Sequence, residues 1–287
     1  MGIEKAVVVG GGVMGNGIAQ VVASAGLAVT VVDVDEAVLE RAVGRIDRSL
    51  GRVVKSGRIS EEEAAAMRAR ISTTTDLEAA AAECDHAIET VVEDLGIKSE
   101  VLGKLDGACR ENVVIASNTS QFSISALAAA TGRPDRVIGS HWFNPPPMMD
   151  LIEIVRGVET SDETLAVALA LAERYGKRSV VCRKDTPGFI TSRLIVTLAL
   201  EAMRIVEEGI ADPEDVDLAC QKAFNHAMGP LTTMDLSGLD TAIRVADNMR
   251  EQYGDRFVPP QNLRALVASG HLGRKTGRGF NDYGESS

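Results

Sequence analysis

The chain has 287 residues, 45% of them hydrophobic, and a formal net charge of −11 at pH 7. This length suits one large domain or two of medium size. The acidic balance argues against a general nucleic-acid partner and a basic membrane-binding surface, so any anionic ligand must be held by a local basic patch. Because no apolar run approaches the roughly 18–20 residues of a membrane span and no charged leader precedes the first strand, we expect no membrane segment.

Four cysteines, Cys84, Cys109, Cys182 and Cys220, are widely scattered and form no C-x-x-C pair. Although four cysteines could pair, this spacing is typical of small buried residues in a reducing compartment, so we expect a cytoplasmic protein. No His, Cys or carboxylate cluster has ligand spacing, and no metal site is expected. A Ser–His–acid hydrolase is a poor fit because Gly-x-Ser-x-Gly is absent.

The first predicted element is an apolar, β-branched strand at residues 7–9, which leads directly into G-x-G-x-x-G at Gly10, Gly12 and Gly15. A helical pattern follows, and a second apolar run at residues 29–32 ends on Asp33. This order is the fingerprint of a dinucleotide site, which consists of a strand, a glycine turn, a helix, a second strand and an acidic residue about 20 residues after the turn. The glycines allow a tight turn, close approach of a pyrophosphate and close packing of the helix, whose N-terminus favours phosphate.

Asp33 predicts which dinucleotide is bound. Its carboxylate can accept hydrogen bonds from both ribose hydroxyls and would repel a 2′-phosphate, so NAD is favoured over NADP. The expected contacts of this region with NAD are Gly10, Gly12, Val13, Met14, Gly15 and Asp33.

A long helix is predicted next, from about residue 38 to residue 54, and Gly57 suits its end. Its polar face carries a basic stripe in an otherwise acidic protein. The residues of this stripe are Arg45, Arg48, Ser49, Arg52 and Lys55. Two interpretations stay open, a solvated helix face and a site for the anionic tail of a ligand. A capping box at residues 60–63 opens a short helix, residues 73–75 favour a strand, and Asp76 can cap another helix.

Further strands are predicted at residues 86–92, 113–116, 137–144, 151–155 and 180–182. Helices lie between them, one capped by Ser123 and one at residues 164–175. Polar segments lie at the carboxyl ends of three of the strands, at residues 93–98, 117–120 and 141–144. Because open α/β sheets bind ligands at the carboxyl ends of their strands, we expect the functional site at these segments.

The pattern changes at residues 185–188. Helices are predicted at residues 189–208, from Pro213 onward, and at residues 240–253 and 262–269, and a last strand at residues 279–283. We therefore predict a doubly wound, Rossmann-type α/β domain over residues 1–184 and an all-helical domain over residues 185–287. The apolar excess of the helical domain indicates a buried face and hence a homodimer.

His141 is the candidate for acid–base chemistry among four histidines. It lies at the end of a strand beside a rigid proline turn, and Glu153 lies on the next strand, in an apolar run where a carboxylate is costly unless it is paired. A strand–turn–strand arrangement can bring Glu153 to His141, where it would fix the tautomer and stabilise the imidazolium. The alternative is a satisfied core His–Glu pair. Ser120, at a neighbouring strand end, could hold a substrate oxygen or be a helix cap or turn serine.

These residues together resemble one family, the short, single-function L-3-hydroxyacyl-CoA dehydrogenases, and within it the 3-hydroxybutyryl-CoA dehydrogenases. The resemblance covers nearly the whole chain. The motifs that carry it are residues 10–15 with Asp33, Glu93 with Lys98, residues 117–120, residues 141–145 with Glu153, and residues 185–189, 228–230, 238–240 and 275–277.

The resemblance implies NAD-dependent, reversible oxidation of an L-3-hydroxyacyl-CoA, with 3-hydroxybutyryl-CoA as the expected substrate. It implies that His141 is the catalytic base with Glu153 as its partner, that Ser120 holds the substrate oxygen, and that Asn144 belongs to the same active site. The further NAD contacts that it implies are Glu93, Lys98, Asn118 and Lys275. The substrate contacts that it implies are Ser49, Lys55, Ser120, Asn144 and Ser192.

Two departures from the family pattern lie at the substrate end. The family usually carries Asn at the position of Ser192, and the proline run at residues 145–147 is fuller than the usual Asn-Pro-x-Pro. The lysine expected near Lys55 is also displaced by about one position. The same chemistry on a carrier-protein thioester, or on a free 3-hydroxy acid of the gulonate or carnitine type, therefore stays open. So does a dinucleotide-binding protein without catalysis.

Overall fold

In the computed structural model, which describes residues 2–284, a single eight-stranded sheet organises the N-terminal part of the chain. The strands are β1 (Lys5–Val9), β2 (Ala28–Val32), β3 (Ile71–Thr74), β4 (His86–Glu89), β5 (Val114–Ser117), β6 (Val137–Trp142), β7 (Leu151–Val155) and β8 (Arg178–Cys182). Their order across the sheet is β3-β2-β1-β4-β5-β6-β7-β8. The β6–β7 pair is antiparallel and the other pairs are parallel. The predicted α/β class with a mostly parallel sheet is confirmed.

Helices cover this sheet and bury its apolar side chains. They are α1 (Val13–Ser24), α2 (Glu36–Lys55), α3 (Glu61–Ala69), α4 (Leu77–Glu83), α5 (Leu95–Ala108), α6 (Ile124–Ala128) and α7 (Asp162–Arg174). The predicted caps are confirmed: Ser60 and Glu63 form a reciprocal capping box, and the side chains of Asp76 and Ser123 accept from the first turns of α4 and α6. Because these caps satisfy otherwise unpaired N–H groups, they fix where each helix begins.

The strand predicted at residues 86–92 is wrong in its second half, since β4 ends at Glu89. The Thr90 hydroxyl donates to the carbonyls of Val9 and Gly10, and the Glu89 carboxylate accepts the N–H of Val91 at 2.7 Å. These side chain–backbone bonds replace the ladder and turn the chain out of the sheet at its carboxyl edge.

A second compact unit begins at Pro187 and is helical. Its helices are α8 (Thr191–Glu207), α9 (Pro213–Ala223), α10 (Pro230–Ser237), α11 (Leu239–Tyr253) and α12 (Gln261–Ala268). The strand predicted at residues 279–283 is wrong, because only isolated bridges occur there. The buried Asp235 carboxylate accepts the N–H groups of Phe280 and Asn281 at 2.9 Å, which removes these donors from any ladder.

Large apolar side chains stay exposed on this second unit. They include Leu194, Ile210, Leu218, Phe224 and Leu236. The homodimer expected from its apolar excess stays a prediction. Among residues 2–284, no helix combines the length and apolar character needed to cross the bilayer. All four cysteines are free and buried, as their spacing predicts.

Candidate active site

The glycine turn after β1 has a closed inner face and an open outer face. A Cβ atom on Gly15 would lie 1.7 Å from the Gly10 carbonyl oxygen, and Gly10 itself has a φ of +107°. Only glycine fits at either position. A Cβ atom on Gly12, by contrast, would meet nothing within 4 Å. The outer face, where Val13 and Met14 open α1, therefore leaves room for a phosphate at a helix N-terminus.

Asp33 follows β2 and is joined to this turn. Its Oδ2 atom accepts the N–H of Gly11 at 2.8 Å, and the residue is half-buried. The Oδ2 atom of Asp33 thus anchors the glycine turn, and the carboxylate places a negative charge next to that turn. This arrangement fits a dinucleotide whose ribose hydroxyls donate to Asp33, as the sequence predicts.

The antiparallel register of β6 and β7 sets His141 directly opposite Glu153. The His141 Nδ1 atom lies 3.0 Å from Oε2 of Glu153, and the Glu153 carboxylate is completely buried. A buried carboxylate is costly without a partner, and this geometry supplies one while orienting the ring. The Phe143 ring lies against the imidazole with centroids 4.6 Å apart, which limits how the ring can turn.

The segment after β5 lies beside the end of β6. The Asn118 side-chain oxygen accepts the N–H of Trp142 at 2.8 Å, which ties the two strand ends together. Ser120 is half-buried, and its own backbone N–H donates to Oε1 of Glu93 at 2.9 Å. Since β5 and β6 are parallel neighbours, Ser120, which follows β5, and His141, which lies near the end of β6, are at the same edge of the sheet. The direct NAD contact expected for Asn118 stays a prediction.

Lys98 belongs to a buried group of charges, and Glu93 lies at its partly exposed end. The Lys98 side chain is 1% exposed, and its ammonium lies 2.8 Å from Glu89 and 3.1 Å from Glu93. A direct contact of NAD with either residue stays a prediction, and Lys98 is enclosed by its acceptors. Glu89 was missed by sequence reasoning, although a carboxylate inside the apolar run of β4 is a signal for a paired charge.

The proline turn after β6 is wedged against α1. A Cβ atom on Gly17 would lie 2.8 Å from Cδ of Pro146, so the ring occupies the space that a side chain would need. From the other side, the Lys177 ammonium donates to the carbonyls of Pro146 and Met149 at 2.9 and 2.7 Å. Asn144, which opens the turn, is therefore carried by a tightly held segment.

A cavity of about 980 Å³, here called the arginine groove, runs from the proline turn along α2. Residues that line it include Arg45, Arg48, Ser49, Arg52, Ser56, Arg58 and Asn144. None of its four arginines forms an ion pair with a carboxylate of residues 2–284. The groove thus joins the basic stripe to the active-site segment. Lys55 is exposed and does not line it, and sequence reasoning missed Ser56 and Arg58.

Lys275 and Ser192 lie in the second unit. The Lys275 ammonium pairs with Asp240 at 2.6 Å, and Ser192 lies in the first turn of α8. The start of α8 is braced by the guanidinium of Arg193, 4.0 Å above the Tyr253 ring centre. The NAD contact of Lys275 and the substrate contact of Ser192 stay predictions.

Both units match known family models. The model of the 3-hydroxyacyl-CoA dehydrogenase NAD binding domain matches residues 5–186, and that of the 3-hydroxyacyl-CoA dehydrogenase C-terminal domain matches residues 188–283. The chain belongs to the 3-hydroxyacyl-CoA dehydrogenase family. The family prediction is thereby confirmed, together with NAD as the cofactor and the assignment as an oxidoreductase.

Relatives match over almost the full length. The 3-hydroxybutyryl-CoA dehydrogenase of Mycobacterium tuberculosis is 41% identical over 283 residues, which cover 98% of this chain and 99% of that protein. The mitochondrial hydroxyacyl-coenzyme A dehydrogenase of Sus scrofa is 39% identical over 288 residues, covering 98% and 91%. The crystal structure of (S)-3-hydroxybutyryl-CoA dehydrogenase from Ralstonia eutropha is 41% identical, has a TM-score of 0.94, and covers 99% of this chain and 100% of that chain.

Proposed function

We propose that this enzyme oxidises L-3-hydroxybutyryl-CoA to the 3-ketoacyl-CoA with NAD, and runs the reverse reaction when NADH is in excess. The observation that carries the proposal is the His141–Glu153 pair, placed at the carboxyl edge of the sheet that also bears the glycine turn. Full-length relatives named for this reaction support it.

His141 acts as the general base. Its Nδ1 side faces Glu153, so Nε2 is the nitrogen that takes the proton from the substrate hydroxyl at C3. Glu153 stabilises the imidazolium that results, and in the reverse direction the imidazolium returns the proton. Ser120 donates to or accepts from the same oxygen and orients it. When bound, NAD supplies the hydride acceptor, and the protein contributes orientation and the proton.

The arginine groove binds the nucleotide end of CoA. Four arginines that pair with no carboxylate of residues 2–284 form a local positive patch in a chain whose net charge is −11. Arginine is suited to phosphate because its planar fork donates two parallel hydrogen bonds. Since the groove reaches Asn144, a ligand held there by its phosphates can extend toward His141. A carrier-protein thioester or a free 3-hydroxy acid would not use the whole groove.

The test compares substrates that share the acetoacetyl group and differ only in the group attached to its carbonyl carbon. Initial rates are measured with acetoacetyl-CoA, acetoacetyl-pantetheine and free acetoacetate. We expect Arg48→Ala to raise KM for acetoacetyl-CoA roughly tenfold, the effect of one charge-assisted hydrogen bond, and to leave kcat and the pantetheine reaction unchanged. Arg41→Ala is the matched control, because Arg41 is exposed on α2 outside the groove.

Three outcomes contradict parts of this proposal. Equal kcat/KM for the CoA and pantetheine thioesters would remove the groove from substrate binding. Preference for a free acid would establish the alternative substrate class. Binding of NADH without turnover of any of these compounds would indicate the non-catalytic alternative.

A homodimer and a cytoplasmic location are part of the same proposal. The exposed apolar side chains of the second unit support association of two copies, and sedimentation equilibrium tests it. A relative named as mitochondrial shows that the family is not confined to one compartment.

A further inference from the structure

A group of buried charges lies beneath Ser120, between the ends of β4 and β5. Glu89 is completely buried, and its carboxylate accepts from three donors: the Lys98 ammonium at 2.8 Å, the Ser117 hydroxyl at 2.5 Å and the Val91 N–H at 2.7 Å. Two of these donors, Ser117 and Val91, lie at the end of β5 and just after the end of β4, and Lys98 lies in the first turn of α5. Glu89 therefore fixes where Lys98 lies.

Lys98 also pairs with a second carboxylate, that of Glu93. Its ammonium is shared between Glu89 and Glu93, and it lies 3.1 Å from Oε2 of Glu93. The opposite oxygen of Glu93 accepts the Thr119 hydroxyl at 2.5 Å and the Ser120 N–H at 2.9 Å. A continuous series of ion pairs and hydrogen bonds thus runs from Glu89 through Lys98 and Glu93 to the backbone of Ser120.

Burial of these charges is a poor way to stabilise a fold. Removing an ion pair from water carries a large desolvation penalty, and apolar residues of similar size often stabilise a fold as well or better. The Glu93 carboxylate is partly exposed, with a side chain that is 29% accessible. Apolar packing cannot hold this carboxylate in one position, whereas an ion pair with Lys98 can. The geometry requires the ammonium for that purpose.

We propose that Glu89 is a positioning residue for the dehydrogenase reaction: acting through Lys98, it holds the Glu93 carboxylate that sets the backbone of Ser120 and hence its hydroxyl. This inference rests on the proposed function, in which Ser120 orients the reacting oxygen. Glu89 does not touch the substrate, and its removal acts on the chemical step rather than on CoA binding.

Glu89→Gln is the first variant. The amide keeps the size of the side chain but removes the charge that anchors Lys98, so the ammonium shifts, Glu93 is no longer held in one position, and Ser120 loses its fixed position. We expect kcat for acetoacetyl-CoA to fall about tenfold, with KM for the thioester within about twofold of the wild type. Asp106→Asn, which removes the partner of Arg133 elsewhere in the same unit, is the control and should leave kcat unchanged.

A double-mutant cycle with Ser120→Ala separates positioning from a general structural effect. If Glu89 acts through Ser120, Glu89→Gln lowers kcat about tenfold in the wild type and less than about twofold in the Ser120→Ala background. The same factor in both backgrounds would overturn the inference, because Glu89 would then act by another route.

If Glu89→Gln does not fold, the apolar double variant Glu89→Leu/Lys98→Met tests the same inference without leaving a buried charge unpaired. We expect this variant to fold, with a Tm near that of the wild type, and to keep the low kcat because Glu93 has lost its ammonium. Recovery of both Tm and kcat would overturn the inference. Failure of the wild type to turn over any 3-ketoacyl-CoA would instead overturn the proposed function, so the two failures are distinguishable.

Discussion

Replacing Asp33 by Asn should relax the choice of dinucleotide. The Asn side-chain oxygen can still accept the Gly11 N–H that Asp33 now holds at 2.8 Å, so the turn keeps its anchor while the negative charge is lost. In the wild type, a 2′-phosphate bound about 4 Å from the carboxylate would meet a repulsion of about 4 kcal/mol at the effective dielectric of a protein surface. Because Asp33 is only half-buried, we discount this to about 2–3 kcal/mol.

This repulsion corresponds to a roughly 30- to 150-fold preference for NAD over NADP. The assay is kcat/KM for both cofactors with one 3-hydroxyacyl-CoA. Asp33→Asn should raise kcat/KM for NADP by that factor and should also lower kcat/KM for NAD about fivefold, a loss of about 1 kcal/mol, as a charged acceptor becomes neutral. Asp35→Asn is the matched control, since Asn also caps α2 and the charge removed lies two residues away. An unchanged ratio for Asp33→Asn, or equal use of both cofactors by the wild type, would refute the reasoning.

Three further predictions concern other parts of the structure. Lys177→Met should reduce kcat roughly threefold without altering NADH affinity, because two carbonyls of the proline turn lose a donor; unchanged kcat would contradict this. Burial lowers the pKa of His86 to about 4 from its usual 6.5, so the unfolded chain binds more protons between these values. Folding stability should therefore fall, by up to about 3 kcal/mol, as the pH drops from 6.5 to 4. The free energy of unfolding of His86→Asn, measured by urea titration, should fall less than that of the wild type over this pH range. An equal fall in both proteins would refute the assignment of this pH dependence to His86. Ser192→Ala should cost about 1 kcal/mol in kcat/KM and Ser192→Asn should stay active on acetoacetyl-CoA; abolished turnover of every acyl-CoA by Ser192→Asn would point to another substrate.

The parts of the site that the sequence predicts are those set by local rules. Spacing and glycine chemistry locate the turn at residues 10–15, since only a residue without Cβ fits against the Gly10 carbonyl. The His141–Glu153 pair is predictable because two short strands joined by a proline turn can pair in only a few registers, and a carboxylate in an apolar strand needs a partner.

The parts that the sequence does not predict depend on distant contacts. Nothing near Lys98 in the sequence distinguishes a buried lysine from one that reaches a ligand, and its enclosure follows from β4 lying beside β5. A distant contact also explains why the strand predicted at residues 279–283 is wrong. Asp235 accepts hydrogen bonds from N–H groups of this segment, which are then not free to pair with another strand. Lys55 was placed on the basic stripe by helical spacing alone, whereas the groove is lined by Ser56 and Arg58 after the helix ends.

The most direct test of the account is the rate of NADH formation from L-3-hydroxybutyryl-CoA by the wild type and by His141→Ala. Loss of the general base should lower kcat by roughly 10²- to 10⁴-fold, while the dissociation constant of NADH stays unchanged. His226→Ala is the control, because His226 is exposed in the second unit and should keep full activity. Near-normal turnover by His141→Ala would contradict the account, because the His141–Glu153 pair would then be a structural contact and not the proton relay.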